Sequence, residues 1–138
     1  MRGTYILTME LKKNQIINVG SLGKIESPKG YYCYVGSALG KFVNLKNRIK
    51  RHKKLNKEKK GNLYWHIDYF LVNPNVDMVG VDKIVAGKRL ECEVSDKLSD
   101  LASKSIPNFG SSDCNCKSHF HYFESKDDLK DLIEGLGV

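Results

Sequence analysis

The 138-residue chain contains no long apolar run, and no stretch approaches the roughly 20 consecutive apolar residues that span a bilayer. No charged-then-apolar leader precedes Tyr5. The chain also shows no internal repeat, linker or low-complexity tract. These absences predict one soluble domain over residues 1–138, long enough to bury a hydrophobic core and located in the cytoplasm.

Cysteine is scarce, with four residues: Cys33, Cys92, Cys114 and Cys116. These thiols could pair in principle. However, a chain that can bury a core and has no leader is expected to keep its thiols reduced. We therefore expect no structural disulfide.

Acidic side chains are almost absent from residues 41–60. This segment holds ten Lys or Arg residues and one acid, Glu58, so its net charge is +9. The whole chain carries +7, which leaves −2 for the remaining residues. A strongly positive segment on a nearly neutral body is typical of a surface that binds a polyanion. A solvated lysine face of a helix is the alternative interpretation.

Alternating apolar residues and turn signals predict the strands of a small central sheet. The first strand begins at Tyr5 and alternates apolar residues up to Leu11. A turn at residues 28–30 starts a further strand, and the early strands are expected to pair as antiparallel neighbours. The predicted strands are residues 5–11, 16–19, 31–36, 78–86 and, at the sheet edge, 120–123.

Three segments have helical patterns: residues 44–55, 89–102 and 126–136. In the first, Asn44 is expected to cap the helix start, and the lysines lie away from one largely apolar face. That face consists of Leu45, Ile49, His52 and Leu55. Residues 63–72 are expected to be buried and residues 108–118 to form a loop. The predicted fold class is therefore α/β (α+β), a small, mainly antiparallel central sheet flanked by helices.

Two short motifs lie in the first quarter of the chain. Gly3-Thr4-Tyr5 opens the first strand, and Tyr34-Val35-Gly36 ends another. The first helix then carries Arg48 and His52 four residues apart, which puts them on one helix face. In these residues the chain strongly resembles the GIY-YIG nuclease superfamily. The resemblance implies a GIY-YIG-like fold and cleavage of DNA strands.

Two further stretches narrow this resemblance: Trp65-His66-Ile67-Asp68-Tyr69 and residues 109–119. Together with Arg51-His52, they resemble the branch of the superfamily called the URI-type or DUF123 domain. The resemblance covers residues 3–123. Its one departure from the general superfamily pattern is a longer distance between the two motifs, which this branch shares.

The resemblance implies that Tyr5 or Tyr34 activates the attacking water. A free phenol is only about 0.1% ionised at neutral pH, so it needs a neighbouring Arg, Lys or metal ion that stabilises the phenolate. Arg48 would hold the scissile phosphate with two parallel hydrogen bonds. His52 would donate to this phosphate or assist proton transfer near its ordinary pKa of about 6.5.

The resemblance also implies a metal-binding glutamate at the start of the second helix, namely Glu91, with Glu93 as the alternative. One carboxylate suffices for Mg²⁺ or Mn²⁺, because such an ion keeps several waters and binds substrate phosphate. A glutamate at a helix start can also serve only the helix dipole. Ser37 is a candidate phosphate contact, and the DNA backbone would bind four lysines of the first helix: Lys50, Lys53, Lys54 and Lys57.

Two further groups each have two open interpretations. Cys114, Cys116 and His119, with His121 nearby, could hold a structural zinc ion, although their Cys-x-Cys spacing is tighter than that of most zinc sites. The alternative is a tight loop that covers a small core. His66 and Asp68 could position a phosphate or satisfy a buried hydrogen bond.

The sequence therefore predicts a metal-dependent GIY-YIG-type endonuclease that acts on DNA, with structured or damaged duplexes as candidate substrates. One alternative is a catalytically inactive nucleic-acid-binding module that keeps the same frame. Another is a zinc-stabilised protein-interaction domain whose basic helix binds an acidic partner.

Overall fold

The structure, a computed structural model, describes residues 3–38, 45–85, 90–107, 109 and 118–135. The strands are β1 (Gly3–Leu11), β2 (Gln15–Asn18), β3 (Lys24–Ser27), β4 (Gly30–Ala38), β5 (Val76–Val85), β6 (Lys104–Ser105) and β7 (Phe120–Phe123). The helices are α1 (Leu45–Glu58), α2 (His66–Leu71), α3 (Glu91–Leu101) and α4 (Lys126–Gly135), and a 3₁₀ turn spans Gly20–Leu22. No helix of the described part is both long and apolar enough to cross a membrane.

A five-stranded antiparallel sheet forms the centre of the fold, in the order β5-β1-β4-β7-β6. β1 is buried along both faces, although only the face of Tyr5, Leu7, Met9 and Leu11 is apolar throughout; the other face holds Thr4, Ile6, Thr8 and Glu10. Tyr5 and Leu7 pack with the buried residues of α1 and α2, whereas Ile6 packs with those of α3 and α4. The two pairs of helices therefore cover opposite faces of the sheet.

The predicted fold class is confirmed, and so is the buried face of α1, which consists of Leu45, Ile49, His52 and Leu55. The helix extends to Glu58, beyond the predicted end at residue 55. Lys59 follows with a left-handed φ of 58°, and its backbone N–H donates to the carbonyl of Leu55. The Lys59 ammonium then donates to the carbonyls of Leu71 and Val76.

Two strand predictions are wrong. β7 is not an edge strand, because it pairs with β4 on one side and with β6 on the other. β6 has only two residues, which is too short for any alternation to appear in the sequence. β2 pairs with β3 and not with the central sheet, and the exposed charged residues of β3 concealed that strand.

The expectation that every thiol stays reduced is also wrong. Cys33 is free and buried, but Cys92 forms a disulfide whose other half lies outside the described residues. A disulfide needs two Cα atoms about 4.4–6.8 Å apart, and this separation is set by the fold and cannot be read from cysteine spacing in the sequence. Cys114 and Cys116 lie outside the described residues, as do the predicted cap Asn44 and most of the loop predicted at residues 108–118.

Candidate active site

Two tyrosines on neighbouring strands form the centre of the candidate site. In the β1–β4 register, Tyr5 lies opposite Gly36 and Tyr34 lies opposite Leu7, so both tyrosine side chains are on the face covered by α1. Their ring centroids are 6.3 Å apart. Tyr5 is completely buried, whereas Tyr34 is 8% exposed. The structure therefore brings the two predicted tyrosines together, with Tyr34 nearer to solvent.

Gly36 leaves the space that the Tyr5 ring occupies. A Cβ atom at this position would lie 2.5 Å from both Cζ and the hydroxyl oxygen of Tyr5. Non-bonded carbon atoms prefer separations of about 3.5–4.0 Å, so any other residue would displace the ring. The glycine of the Tyr34-Val35-Gly36 motif is therefore a packing requirement of the opposite strand.

His52 reaches the two tyrosines from α1. The apolar residues Leu45, Ile49 and Leu55 bury one face of the helix against the sheet and carry His52 inward with them. A hydrogen bond of 2.8 Å joins the Tyr5 hydroxyl and His52 Nε2. The other ring nitrogen, Nδ1, is buried and has no hydrogen-bond partner in the described part of the chain.

His52 is neutral at physiological pH. Burial lowers its pKa to about 3; the charge of Asp68 opposes this shift, and the charges of Arg48 and Arg51 reinforce it. The expectation that His52 works near its ordinary pKa is therefore wrong. A neutral imidazole can either accept the phenolic proton of Tyr5 or donate its own proton to the phenol oxygen. In this state the imidazole can exchange a proton with Tyr5 and carries no positive charge.

Arg48 is one helical turn from His52, at the partly buried rim of the site. Its guanidinium carbon lies 4.2 Å from the centroid of the Trp65 ring, within cation–π distance. Among the described residues, no carboxylate forms an ion pair with Arg48. This contact constrains the guanidinium, and none of the described carboxylates competes with a phosphate for its N–H groups.

Arg51 has a different role, because it binds Asp68. Both guanidinium ends donate to the carboxylate at 2.8 Å, and Asp68 also accepts the backbone N–H groups of Tyr64 and Trp65. Burial alone would raise the pKa of Asp68, but these hydrogen bonds lower it below its ordinary value. Of the two interpretations of Asp68, the structure supports the buried hydrogen bond. His66 is linked to Ser21 instead, with 3.2 Å between Nε2 and Oγ.

The predicted metal ligands are not brought to this cluster by any described contact. α3 begins at Glu91, whose side chain lies outside the described part of the chain. The alternative ligand, Glu93, follows two residues later in the same helix and is exposed. The buried face of α3 packs on the opposite side of the sheet from α1. Within the described ranges, no group of three His, Cys, Asp or Glu side chains could hold a metal ion.

The histidines considered for zinc are both buried. His119 Nε2 lies 3.9 Å from Cys92 Sγ. Both ring nitrogens of His121 are used, with Ser95 Oγ at 2.6 Å and Ser105 Oγ at 2.7 Å. In this arrangement, His121 has no lone pair available for a metal.

The predicted DNA-binding residues differ in exposure. Ser37 is partly buried near the end of β4. The four predicted lysines of α1 are all exposed: Lys50, Lys53, Lys54 and Lys57. Lys59 is not part of this charged surface, because its ammonium is bound to backbone carbonyls and burial lowers its pKa.

The family model described as "Domain of unknown function DUF123" matches residues 4–137, which is nearly the whole chain. The chain belongs to the DUF123 family. No curated protein and no solved structure matches it significantly. The family description assigns no activity to this DUF123 protein.

Three residues of this DUF123 site were not assigned a role by sequence reasoning: Tyr64, Trp65 and Arg51. Residues 63–72 were expected to be buried, and α2 does bury Ile67 and Phe70, but Tyr64 and Trp65 are exposed. One available signal was Asp68, because an acidic residue in the first helical turn often accepts backbone N–H groups at the helix start. That signal places the helix start after the two aromatic residues.

Acidification is expected to destabilise this DUF123 protein well before its carboxylates titrate. Between the ordinary pKa of His52, about 6.5, and its folded pKa of about 3, only the unfolded state binds the proton. The free energy of unfolding should therefore fall by about 1.4 kcal/mol per pH unit in this range. Burial lowers the pKa of His121 to about 4, which adds a second contribution of the same sign.

Urea denaturation at several pH values between about 7 and about 4.5 measures this slope. The variant His121→Asn should lose part of the slope and His52→Gln a comparable part. Equal stability at about pH 7 and about pH 5 would contradict the buried neutral state of both histidines.

Proposed function

We propose that this DUF123 protein is a metal-dependent endonuclease of the GIY-YIG superfamily that hydrolyses DNA phosphodiester bonds. One observation carries the proposal: the Tyr5 hydroxyl is hydrogen-bonded to a neutral, buried His52, beside an arginine without a carboxylate partner in the described part. A buried tyrosine that only packs also needs a hydrogen-bond partner, as Tyr32 finds in the carbonyl of Pro28, so the support comes from the imidazole and the arginine beside it. α1, the helix that carries Arg48 and His52, bears exposed lysines on its solvent side, which suit a polyanionic substrate.

The cluster supplies the proton handling that hydrolysis requires. Tyr34 is the tyrosine that reaches solvent, so we assign to it the orientation of the attacking water. The water proton would pass by way of the Tyr34 hydroxyl to the oxygen of Tyr5, while the phenolic proton of Tyr5 moves to His52 Nε2 along their shared hydrogen bond. The hydrogen bonds to Asp68 raise the pKa of Arg51 above its ordinary value, and Tyr5 adds a smaller contribution of the same sign.

Arg48 supplies the charge that the transition state needs. Negative charge grows on the non-bridging phosphate oxygens as water attacks, and a guanidinium fixed in advance stabilises it without reorganisation. The Trp65 ring fixes Arg48 in this way, at 4.2 Å. A lysine would lack both the planar stacking surface and the paired donors.

The proposed metal ion is Mg²⁺ or Mn²⁺, and Glu91 is the residue that would bind it. When bound, such an ion polarises the phosphate and assists the leaving 3′ oxygen. The described residues of the cluster provide no further free carboxylate, because Asp68 is fully engaged by Arg51 and two backbone N–H groups. The proposed proton transfer and charge stabilisation therefore need only Tyr5, Tyr34, His52 and Arg48 from the described residues.

The deciding experiment is incubation of the protein with supercoiled, branched, damaged and single-stranded DNA, with Mg²⁺, with Mn²⁺ and with a chelator. We expect cleavage of at least one substrate, dependent on the metal ion. Glu91→Gln should abolish cleavage at low metal concentration, while the matched variant Glu93→Gln retains it. Loss in Glu93→Gln alone would transfer the metal to that residue.

The second candidate function is a nucleic-acid-binding module without turnover. The complete burial of Tyr5 favours it, because a phenol with no solvent contact must be reached through Tyr34. DNA binding without cleavage of any of the substrates above, with either metal ion, would establish this alternative over the nuclease.

The α1 lysines are expected to set DNA affinity without taking part in the chemistry. Each lysine that neutralises one phosphate contributes about 0.9 to the slope of log K against log salt. Replacing all four lysines by Gln should weaken binding to all DNA sequences and flatten this slope. Single-turnover cleavage at saturating protein should be retained, because these lysines take no part in the chemistry. The replaced residues are Lys50, Lys53, Lys54 and Lys57.

The matched control removes the same amount of charge from exposed lysines elsewhere: Lys12, Lys13, Lys24 and Lys29. Fluorescence anisotropy at several salt concentrations measures both variants. If the control flattens the slope as much as the α1 variant, the effect comes from net charge and not from a binding surface on α1.

A further inference from the structure

Two adjacent aromatic side chains next to the candidate site are exposed to solvent. Tyr64 is 69% exposed and Trp65 is 38% exposed. Their ring centroids are 6.5 Å apart, with an interplanar angle of 67°. The other large exposed hydrophobic residues of the described part are aliphatic and distant in sequence from this pair: Ile16 and Val79.

The backbone under these rings is fixed. Buried Asp68 accepts the N–H groups of both Tyr64 and Trp65, and Arg51 locks Asp68 from α1. The Arg51 guanidinium carbon also lies 4.5 Å from the Trp65 ring centroid and 5.4 Å from that of Tyr64. The aromatic pair is therefore held in one place before any ligand arrives, which reduces the entropic cost of binding.

The pair lies directly beside the proposed chemistry. The Trp65 ring centroid is 6.4 Å from that of His52, and Arg48 stacks on the same tryptophan. A nucleotide whose phosphate binds Arg48 would therefore have its base within reach of these rings. The exposed lysines of α1 provide complementary charge for the rest of the strand.

We propose that the exposed Tyr64 ring stacks an unpaired nucleobase next to the scissile phosphate, with Trp65 at the edge of this base, so that the substrate is DNA with a single-stranded stretch. Bases inside a duplex have both faces covered by their neighbours, whereas an unpaired base offers a free face to an aromatic ring. Every base has such a face, so recognition is by strand state and not by sequence. This inference rests on the nuclease proposal and adds the substrate class to it.

Trp65 is the only tryptophan of the chain, so its fluorescence reports directly on stacking. The probes are oligothymidylate, an abasic oligonucleotide with the same number of phosphates, and a duplex of equal length. Oligothymidylate should quench Trp65 and bind about tenfold more tightly than the abasic strand. The abasic strand and the duplex should bind through their phosphates without comparable quenching.

Tyr64→Ala should lower the affinity for oligothymidylate about tenfold and leave duplex affinity unchanged. Tyr64→Phe keeps the ring and should restore binding, and Ile16→Ala, which removes another exposed apolar side chain, should have no effect. Trp65 itself stays unchanged, because it also carries Arg48.

Equal affinity for oligothymidylate and the abasic strand, or wild-type single-strand binding by Tyr64→Ala, would overturn the inference. In that case cleavage of duplex DNA by the same preparation would leave the nuclease proposal standing. Stacking and selective single-strand binding without any cleavage would instead support the aromatic site and reject the enzyme.

Discussion

Replacing Tyr5 with Phe is expected to reduce DNA cleavage about a hundredfold or more. The change removes one oxygen atom, and with it the 2.8 Å hydrogen bond to His52 that we propose takes up the proton of the attacking water. General acid–base contributions of this kind are worth about 10²–10⁴ in rate. Single-turnover cleavage at saturating protein measures the effect on chemistry without a contribution from binding.

The control for this result is Tyr32→Phe. Tyr32 is also buried on the same face, and its hydroxyl donates to the carbonyl of Pro28 at 2.6 Å. Both variants lose one buried phenolic hydrogen bond, which typically contributes about 0.5–1.5 kcal/mol to stability. Only Tyr5→Phe should lose activity per folded molecule. Equal losses in both variants would make Tyr5 a packing residue.

Gly36→Ala is expected to damage stability and activity together. The new methyl group would lie 2.5 Å from the Tyr5 ring, so the ring must move away from the hydrogen bond to His52. Overpacking of a dense core costs about 1–3 kcal/mol. A displacement of about 1 Å at a reacting group can reduce the rate about a hundredfold. Urea denaturation and single-turnover cleavage measure the two effects.

Gly80→Ala is the matched control, because Gly80 lies on β5, the other neighbour of β1. A Cβ atom there would have its nearest heavy atom, Thr8 Cβ, at 3.7 Å, which is an ordinary contact. This variant should be as stable as the parent or more stable by about 0.4–1 kcal/mol, since alanine restricts the unfolded chain. Full activity of Gly36→Ala would show that the Tyr5 ring position does not matter for cleavage.

Much of the frame could be predicted from sequence because local rules determine it. The alternation after Tyr5 and the helical spacing of Leu45, Ile49 and Leu55 bury these side chains, and both patterns are readable without a structure. The grouping of Tyr5, Tyr34, Arg48 and His52 followed from a family resemblance in their motifs. The structure brings these four residues to one face of the sheet.

The chemical state of the site could not be predicted, since it depends on tertiary contacts. Helical periodicity indicated that His52 faces the core, but not that burial would lower its pKa to about 3. The Arg51–Asp68 pair joins residues 17 positions apart on different helices, and no local pattern links them. The same holds for Trp65 under Arg48, which only the docking of α2 against α1 creates.

The position of β1 has a consequence for the dynamics of the site. This strand is paired along its whole length with β4 on one side and β5 on the other. Backbone amides in such a strand exchange with solvent only when the entire fold opens, unlike those of terminal helices that fray locally. Tyr5 therefore belongs to the slowest-exchanging unit of the molecule. The backbone that carries Tyr5 therefore does not open locally, and any gating of the reaction would come from the substrate side.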